Sequence, residues 1–284
     1  PTLLFLRYNF LMSTILLLGA CNAPSSTADE DESDAPAAVQ DSFTQLVWAD
    51  EFDGSGPLDS TKWAYDIGGH GWGNQELQYY TDRLENARRE DGHLLIEARQ
   101  ESFEGSTYTS ARLVTRDRQT WQRGRVAVRA KLPTGLGTWP AIWMLGQNIK
   151  EVGWPTCGEI DIMEHLGFSQ DTVYGTVHTD AFNHIKGTER SGHVHIAGAS
   201  DDFHTYHIDW HDDHIDFGVD DEVYFTFNKV ENATDAEWPY DKPHYLLLNI
   251  AVGGSWGGSR GVDSIIWPQR MVVDWVRVSE AADE

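Results

Sequence analysis

Between Phe43 and Val278 the chain runs in short segments where apolar and polar residues alternate, separated by Gly, Asp and Asn. Successive side chains of a β-strand point to opposite faces, so a period of two marks a strand with one face on a core. Val126, Val128 and Ala130 alternate with Arg125, Ala127 and Arg129, and Tyr206, Ile208 and Trp210 alternate with Thr205, His207 and Asp209. Ile215, Phe217 and Val219 lead into Asp220-Asp221-Glu222 and then Tyr224 to Phe227, the layout of a hairpin with an acidic turn. Tyr245 to Val252 and Met271 to Val278 are apolar enough for central strands. No run of ten or more residues carries a helical apolar stripe with caps. The pattern predicts an all-β sandwich of antiparallel sheets.

The pattern fails at the N-terminal end. One basic residue, Arg7, precedes an apolar run and small residues before Cys21, the order of a secretory signal. Leu18-Gly19-Ala20-Cys21 resembles the lipobox of bacterial lipoproteins, which implies cleavage before Cys21 and lipid attached to it. An ordinary signal or a short membrane anchor is the alternative. Residues 21–43 hold Ala, Ser, Pro and acids with almost no large apolar side chain, and read as a solvated tether. The expected organisation is therefore a leader over 1–20, a tether over 21–43 and one folded domain over 44–284. Its location would be the bacterial cell envelope, as a secreted, lipid-anchored protein touching membrane only through that anchor.

Charge narrows the partners. With 45 acidic against 21 basic residues, the formal net charge is −24, which repels nucleic acid and anionic surfaces and suits a neutral ligand. Two cysteines, one of them Cys21, leave Cys157 without a partner and imply no disulfide framework. The twelve histidines include no HExxH pattern, so no catalytic zinc and no other catalytic cofactor is expected. The domain is expected to act as a monomer.

The candidate chemistry lies in Cys157-Gly158-Glu159-Ile160-Asp161-Ile162-Met163-Glu164-His165. Strict alternation puts Glu159 and Asp161 on one face and turns Glu164 to the other. If Met163 is an extra residue in a bulge, Glu164 returns to the face of the first two acids. Three carboxylates on one strand repel one another, and burial makes each costlier. A solvated edge strand, a metal site and a chance cluster in an acidic chain all compete with catalysis here. Cleavage of a glycosidic bond needs two carboxyl groups flanking it, about 5 to 5.5 Å apart when the anomeric configuration is retained.

The run Gly158-Glu159-Ile160-Asp161-Ile162-Met163-Glu164 resembles the signature of family-16 glycoside hydrolases, in the form with an additional residue before the last glutamate. The resemblance extends from about Leu46 to Val278. It implies a β-jelly-roll sandwich with a concave cleft, with Glu159 as nucleophile, Asp161 assisting it and Glu164 as acid/base. Gly71 to Thr81 resembles a stretch of the endo-β-1,3-glucanases, or laminarinases, that places Asn74 at the non-reducing-side subsites. By the same resemblance Trp139 and Trp143 floor the cleft, Trp256 stands over the substrate, and Arg112 and His178 line the cleft. Aromatic faces suit sugar rings because they bury apolar C–H surface.

The implied activity is endo-acting, retaining hydrolysis of β-1,3-glucan, with mixed β-1,3-1,4-glucan as a secondary substrate. Agarases and carrageenases share the bulged signature, but a chain this acidic is a poor host for a sulfated polymer. Lichenan, agar and carrageenan remain alternative substrates, and a non-catalytic carbohydrate-binding jelly roll the alternative function. The resemblance also implies a structural Ca²⁺ held by oxygens of Glu51, Gly92 and Asp274; a simply hydrogen-bonded Asp274 is the other reading.

Overall fold

The alternating segments do form strands in the computed structural model, which describes residues 43–282. The leader, Cys21 and all but the last residue of the tether lie outside the described residues. With strands numbered in chain order, one sheet runs β12 (Arg190–His195), β11 (Thr172–His178), β10 (Glu159–His165), β9 (Thr138–Gly146), β16 (His244–Val252), β7 (Arg112–Val114), β2 (Ala64–Tyr65). The second runs β15 (Glu222–Asn228), β14 (His214–Val219), β13 (His204–Trp210), β8 (Gly124–Lys131), β17 (Gln269–Glu280), β5 (His93–Phe103), β6 (Ser106–Ser110), β3 (Gln78–Tyr80). β1 (Gln45–Asp50) adds to β17 and β4 (Ala87–Glu90) to β5. The sheets are antiparallel as expected, with one short parallel pairing between β3 and β6.

The sequence period explains the layering. Val126, Val128, Ala130, Tyr206, Ile208 and Trp210 are buried between the sheets, as their alternation requires. Burying each large apolar side chain of this kind contributes about 1.5–3 kcal/mol. β16 is buried along its whole length because both faces are covered. Leu246, Leu248, Ile250 and Val252 enter the core, while Tyr245, Leu247 and Ala251 pack on the opposite face with Leu145 and Trp139. The acidic turn between β14 and β15 narrows to Asp220-Asp221, with Glu222 already paired to Val219. Among the described residues the helices are short, one over Ile149–Val152 and a 3-10 turn over Pro239–Asp241. Cys157 is a buried free thiol, pushed up to about 12 by burial.

Candidate active site

β10 breaks register where the carboxylates need it. Toward β11, Asp161 pairs with Thr176 and Glu164 with Tyr174, so Ile162 and Met163 together oppose the single residue Gly175. Toward β9, Asp161 pairs with Trp143, Met163 with Ile142 and Glu164 with Ala141. The residue left over on that side is Ile162 rather than Met163, which corrects the assignment made from alternation alone. Ile162 and Met163 both point into the core, at 1% and 0% exposure, and this double inward turn returns Glu164 to the face of Glu159 and Asp161. Gly175 leaves room for the arrangement: a Cβ there would lie 2.5 Å from the Tyr224 hydroxyl.

All three carboxylates open into one cleft of about 430 Å³. Its floor follows β9, where alternation aims Trp139, Ala141, Trp143 and Leu145 the same way. The Trp154 indole donates to Glu159 Oε2 at 2.9 Å, and the Trp139 indole donates to Glu164 Oε1 at 2.9 Å. His178 Nε2 stands 3.5 Å from Asp161 Oδ2 and 3.8 Å from Glu159 Oε1. Burial and the neighbouring His184 push His178 down to about 4, so it is neutral at ordinary pH and brings no positive charge to the acids. It backs the carboxylates rather than lining the cleft.

Burial raises the whole set. Glu159 is pushed up to about 8, first by burial and then by the charge of Glu164, against the pull of Trp154, Arg112 and Asp161. Asp161 is raised well above the usual carboxylate range by burial and by both glutamates. Glu164 is pushed up to about 7 by burial, with the Trp139 N–H opposing. The three titrate together, and Asp161 is raised by both glutamates as well as by burial.

The far end of the cleft is a second polar cluster. Arg112 lies between the rings of Trp72 and Trp143, 4.6 Å from each, and pairs with Asp66 at 3.2 Å. The Trp143 indole donates to Asn249 at 2.7 Å, Asn249 donates to the Tyr80 hydroxyl at 3.0 Å, and that hydroxyl donates to Glu76 at 3.2 Å. Asn74 also reaches Glu76, at 3.4 Å, and burial raises the Glu76 carboxyl above its ordinary range. Sequence reasoning missed Glu76, Trp154 and Asn249. Glu76 sits two residues from Asn74 in a stretch already singled out, whereas Trp154 carries no local signal because a loop brings it to Glu159. The Trp256 ring packs edge-on to Trp139 and Tyr174, 5.7 and 5.2 Å away.

The residues expected to hold calcium are engaged with cations of the protein. Asp274 pairs with Arg129 through one oxygen and faces His93 Nε2 at 3.8 Å through the other. Arg277 forks onto Glu51 with two 2.9 Å bonds. Gly92 turns the chain between β4 and β5. A calcium ion held through Asp274 would therefore have to displace Arg129 from that carboxylate.

Comparison with known proteins agrees with this geometry. The model of the glycosyl hydrolases family 16 matches residues 73–277. The beta-glucanase of Rhodothermus marinus is 56% identical over 242 residues, 82% of this chain and 84% of that protein. The solved laminarinase from Rhodothermus marinus superposes with a TM-score of 0.82 at 53% identity, covering 84% of this chain and 98% of the other. SCLam, a non-specific endo-β-1,3(4)-glucanase, superposes with a TM-score of 0.81 at 44% identity, covering 87% of this chain and 95% of that one. A bulged strand carrying three carboxylates into one cleft, a tryptophan floor and these likenesses converge: the chain belongs to glycosyl hydrolase family 16.

Proposed function

We propose that this protein hydrolyses β-1,3-glucan internally and with retention of anomeric configuration, and takes mixed β-1,3-1,4-glucan as a secondary substrate. The observation that carries the reading is the bulge in β10, which sets Glu159, Asp161 and Glu164 on one face of a tryptophan-floored cleft. The relatives support it, being a beta-glucanase, a laminarinase and a non-specific endo-β-1,3(4)-glucanase.

Glu164 gives its proton to the glycosidic oxygen as that bond breaks, and Glu159 attacks the anomeric carbon to form a glycosyl ester. The leaving chain departs with the proton. Glu164, now ionised, takes a proton from water as its oxygen attacks the same carbon, and Glu159 is released as a carboxylate. Asp161 keeps its proton throughout and donates a hydrogen bond to Glu159, which steadies the nucleophile's charge. The rings of Trp139 and Trp143 take sugar faces, and Asn74 with the buried Glu76 reads hydroxyls on one side of the cleavage point.

Proton NMR of the first products from laminarin tests this, since retention gives the β-anomer before mutarotation. Inversion would remove Glu159 from its role, as would wild-type turnover in a folded Glu159→Gln variant. Early release of a spread of oligosaccharides is the mark of internal cleavage.

Three further readings rest on sequence alone. Lipid attachment at Cys21 would tether the domain to the cell envelope, and mass spectrometry of the purified native protein reads it directly. The domain would act as a monomer, checked by light scattering. A structural Ca²⁺ at Glu51, Gly92 and Asp274 would raise Tm in wild type but not in Asp274→Ala.

A further inference from the structure

The outer sheet, on the side of the sandwich away from the cleft, carries a separate group of metal-ligating side chains. The turn between β13 and β14 is closed by a 2.9 Å bond from the His211 N–H to the His214 carbonyl. Behind it Trp210 pairs with Ile215 and Asp209 with Asp216. Trp210 and Ile215 point into the core, so parity places Asp209, His211, His214 and Asp216 together on the outward face. Arg125 takes Asp209 with bonds of 2.6 and 2.7 Å. Each of the other three offers a nitrogen or oxygen within 4.8 Å of the others.

Outer partners aim two of these atoms at each other. Asp213 Oδ1 lies 2.7 Å from His214 Nδ1, which puts a proton on Nδ1 and leaves a lone pair on Nε2 of the neutral ring. That Nε2 faces Asp216 Oδ2 at 3.5 Å, while the Thr226 hydroxyl occupies the other Asp216 oxygen. Two acceptors turned toward one another are satisfied either by protonating His214 or by a cation between them. The His211 ring favours the cation. It stacks on His214 with centroids 4.2 Å apart and planes 14° from parallel, and beside Phe43 at 4.8 Å. A second imidazole at this distance supplies the third donor that a metal ion needs and that protonation of His214 does not call for.

We propose that His211, His214 and Asp216 bind a divalent transition ion of the zinc class, with Asp213 and Thr226 orienting the ligands. Two imidazoles and one carboxylate suit Zn²⁺, Cu²⁺ or Ni²⁺, whereas Ca²⁺ and Mg²⁺ take oxygen donors. A tetrahedral ion with bonds of about 2.0–2.1 Å holds its donors roughly 3.4 Å apart. The 3.5 Å separation of His214 and Asp216 already meets that spacing, and His211, a half-buried ring, closes the remaining distance by a side-chain rotation. Water completes the coordination. The ion would pin β13 to β14 across their turn, stabilising the sheet without entering the cleft.

The test is calorimetric titration of Zn²⁺ into untagged, metal-free protein at neutral pH. It is run in a Glu159→Gln background, because Glu159, Asp161 and His178 are the other close group among the described residues. One equivalent should bind, and zinc at about 100 times its Kd should raise Tm by several degrees. His214→Gln and Asp216→Asn should each weaken binding at least tenfold, and Asp213→Asn about tenfold through the lost outer partner. In an otherwise wild-type chain the same three changes should leave laminarin turnover intact, which shows the fold is kept. Unchanged zinc affinity in His214→Gln and Asp216→Asn, or no saturable binding up to millimolar zinc, overturns the proposal. Co²⁺ in the unaltered site gives a second reading, since a four-coordinate set produces intense visible absorption and a weak six-coordinate spectrum would count against it.

Discussion

Trp139→Phe isolates the hydrogen bond that tunes the proton donor. The change keeps an aromatic face in the cleft and removes one N–H, which donates to Glu164 Oε1 at 2.9 Å where that residue is only 8% exposed. Burial pushes Glu164 up to about 7 and this N–H pulls the other way. A hydrogen bond to a charged acceptor contributes about 1.5–3 kcal/mol, and one pKa unit corresponds to about 1.36 kcal/mol. Losing the bond therefore raises Glu164 by one to two units at most. Water entering the space left by the smaller ring restores part of that, so the expected rise is about one unit. Glu164 must be protonated to serve the leaving oxygen, so activity falls as pH rises through its pKa. The alkaline limb of kcat/KM on laminarin should move upward by about one unit in the variant, even though the plateau rate is lower. Initial rates of reducing-end release across the pH range measure it. An unmoved limb, or one displaced toward acid, would refute the assignment of Glu164 as the acid or of Trp139 as its partner.

Deleting Met163 restores strict alternation and turns Glu164 toward the core, so a folded deletion variant should retain less than about one thousandth of wild-type turnover; normal turnover would dismiss the bulge as the device that matters. Gly175→Ala places a methyl group against the Tyr224 hydroxyl and Phe217, at 2.5 and 2.7 Å, and should cost about 1–3 kcal/mol in urea unfolding. The raised acids also make stability depend on pH. Because the folded-state pKa of Glu164 lies above its unfolded value, its contribution is whole below the unfolded pKa and is lost as pH rises through about 7. A rise from 4.5 to about 7 corresponds to roughly 3 kcal/mol. Glu164→Gln should therefore lose up to about that much less stability than wild type between acid and alkaline pH, read from denaturant midpoints; parallel curves would contradict the shift.

Legibility in the sequence followed the range of the forces involved. β8, β13 and the two strands β16 and β17 could be read because burial of one or both faces acts on every second residue or on all of them. The bulge could be read because the alternation of acid and aliphatic residues along β10 breaks just before the third acid. Against β9 the surplus residue is Ile162, a choice set by pairing with a partner strand that alternation along β10 does not contain. Trp256 and His178 were placed near the cleft by resemblance, and both lie near it, but packing decides what each touches. Trp256 spends its ring on Trp139 and Tyr174, and His178 stands behind the acids. Trp154 reaches Glu159 from a loop, and no period in the sequence reports a loop's end point. The same holds for His211 and His214, whose meeting depends on the turn between two strands.

The acids present an apparent conflict, because the proposed nucleophile is pushed up to about 8 and the proposed proton donor only to about 7. Read separately, those values would ionise the donor first and leave the nucleophile neutral. They belong to a coupled set, and the causes resolve it. After burial, the chief upward push on Glu159 is the charge of Glu164. In the reactive state Glu164 carries a proton, and that push is gone. What then acts on Glu159 besides burial is the Trp154 N–H, the positive charge of Arg112 and a hydrogen bond from Asp161, all of which favour its ionised form. Glu164 has only the Trp139 N–H on that side. One negative charge shared between the two glutamates therefore settles on Glu159, which has three groups to hold it. Once Glu159 is bonded to sugar its charge is gone, and Glu164 can give up its proton and later accept one from water. The bulge does more than gather three carboxylates on one face. It puts Glu164 near enough for its charge to act on Glu159 while leaving the two with different donors, and that difference assigns their roles.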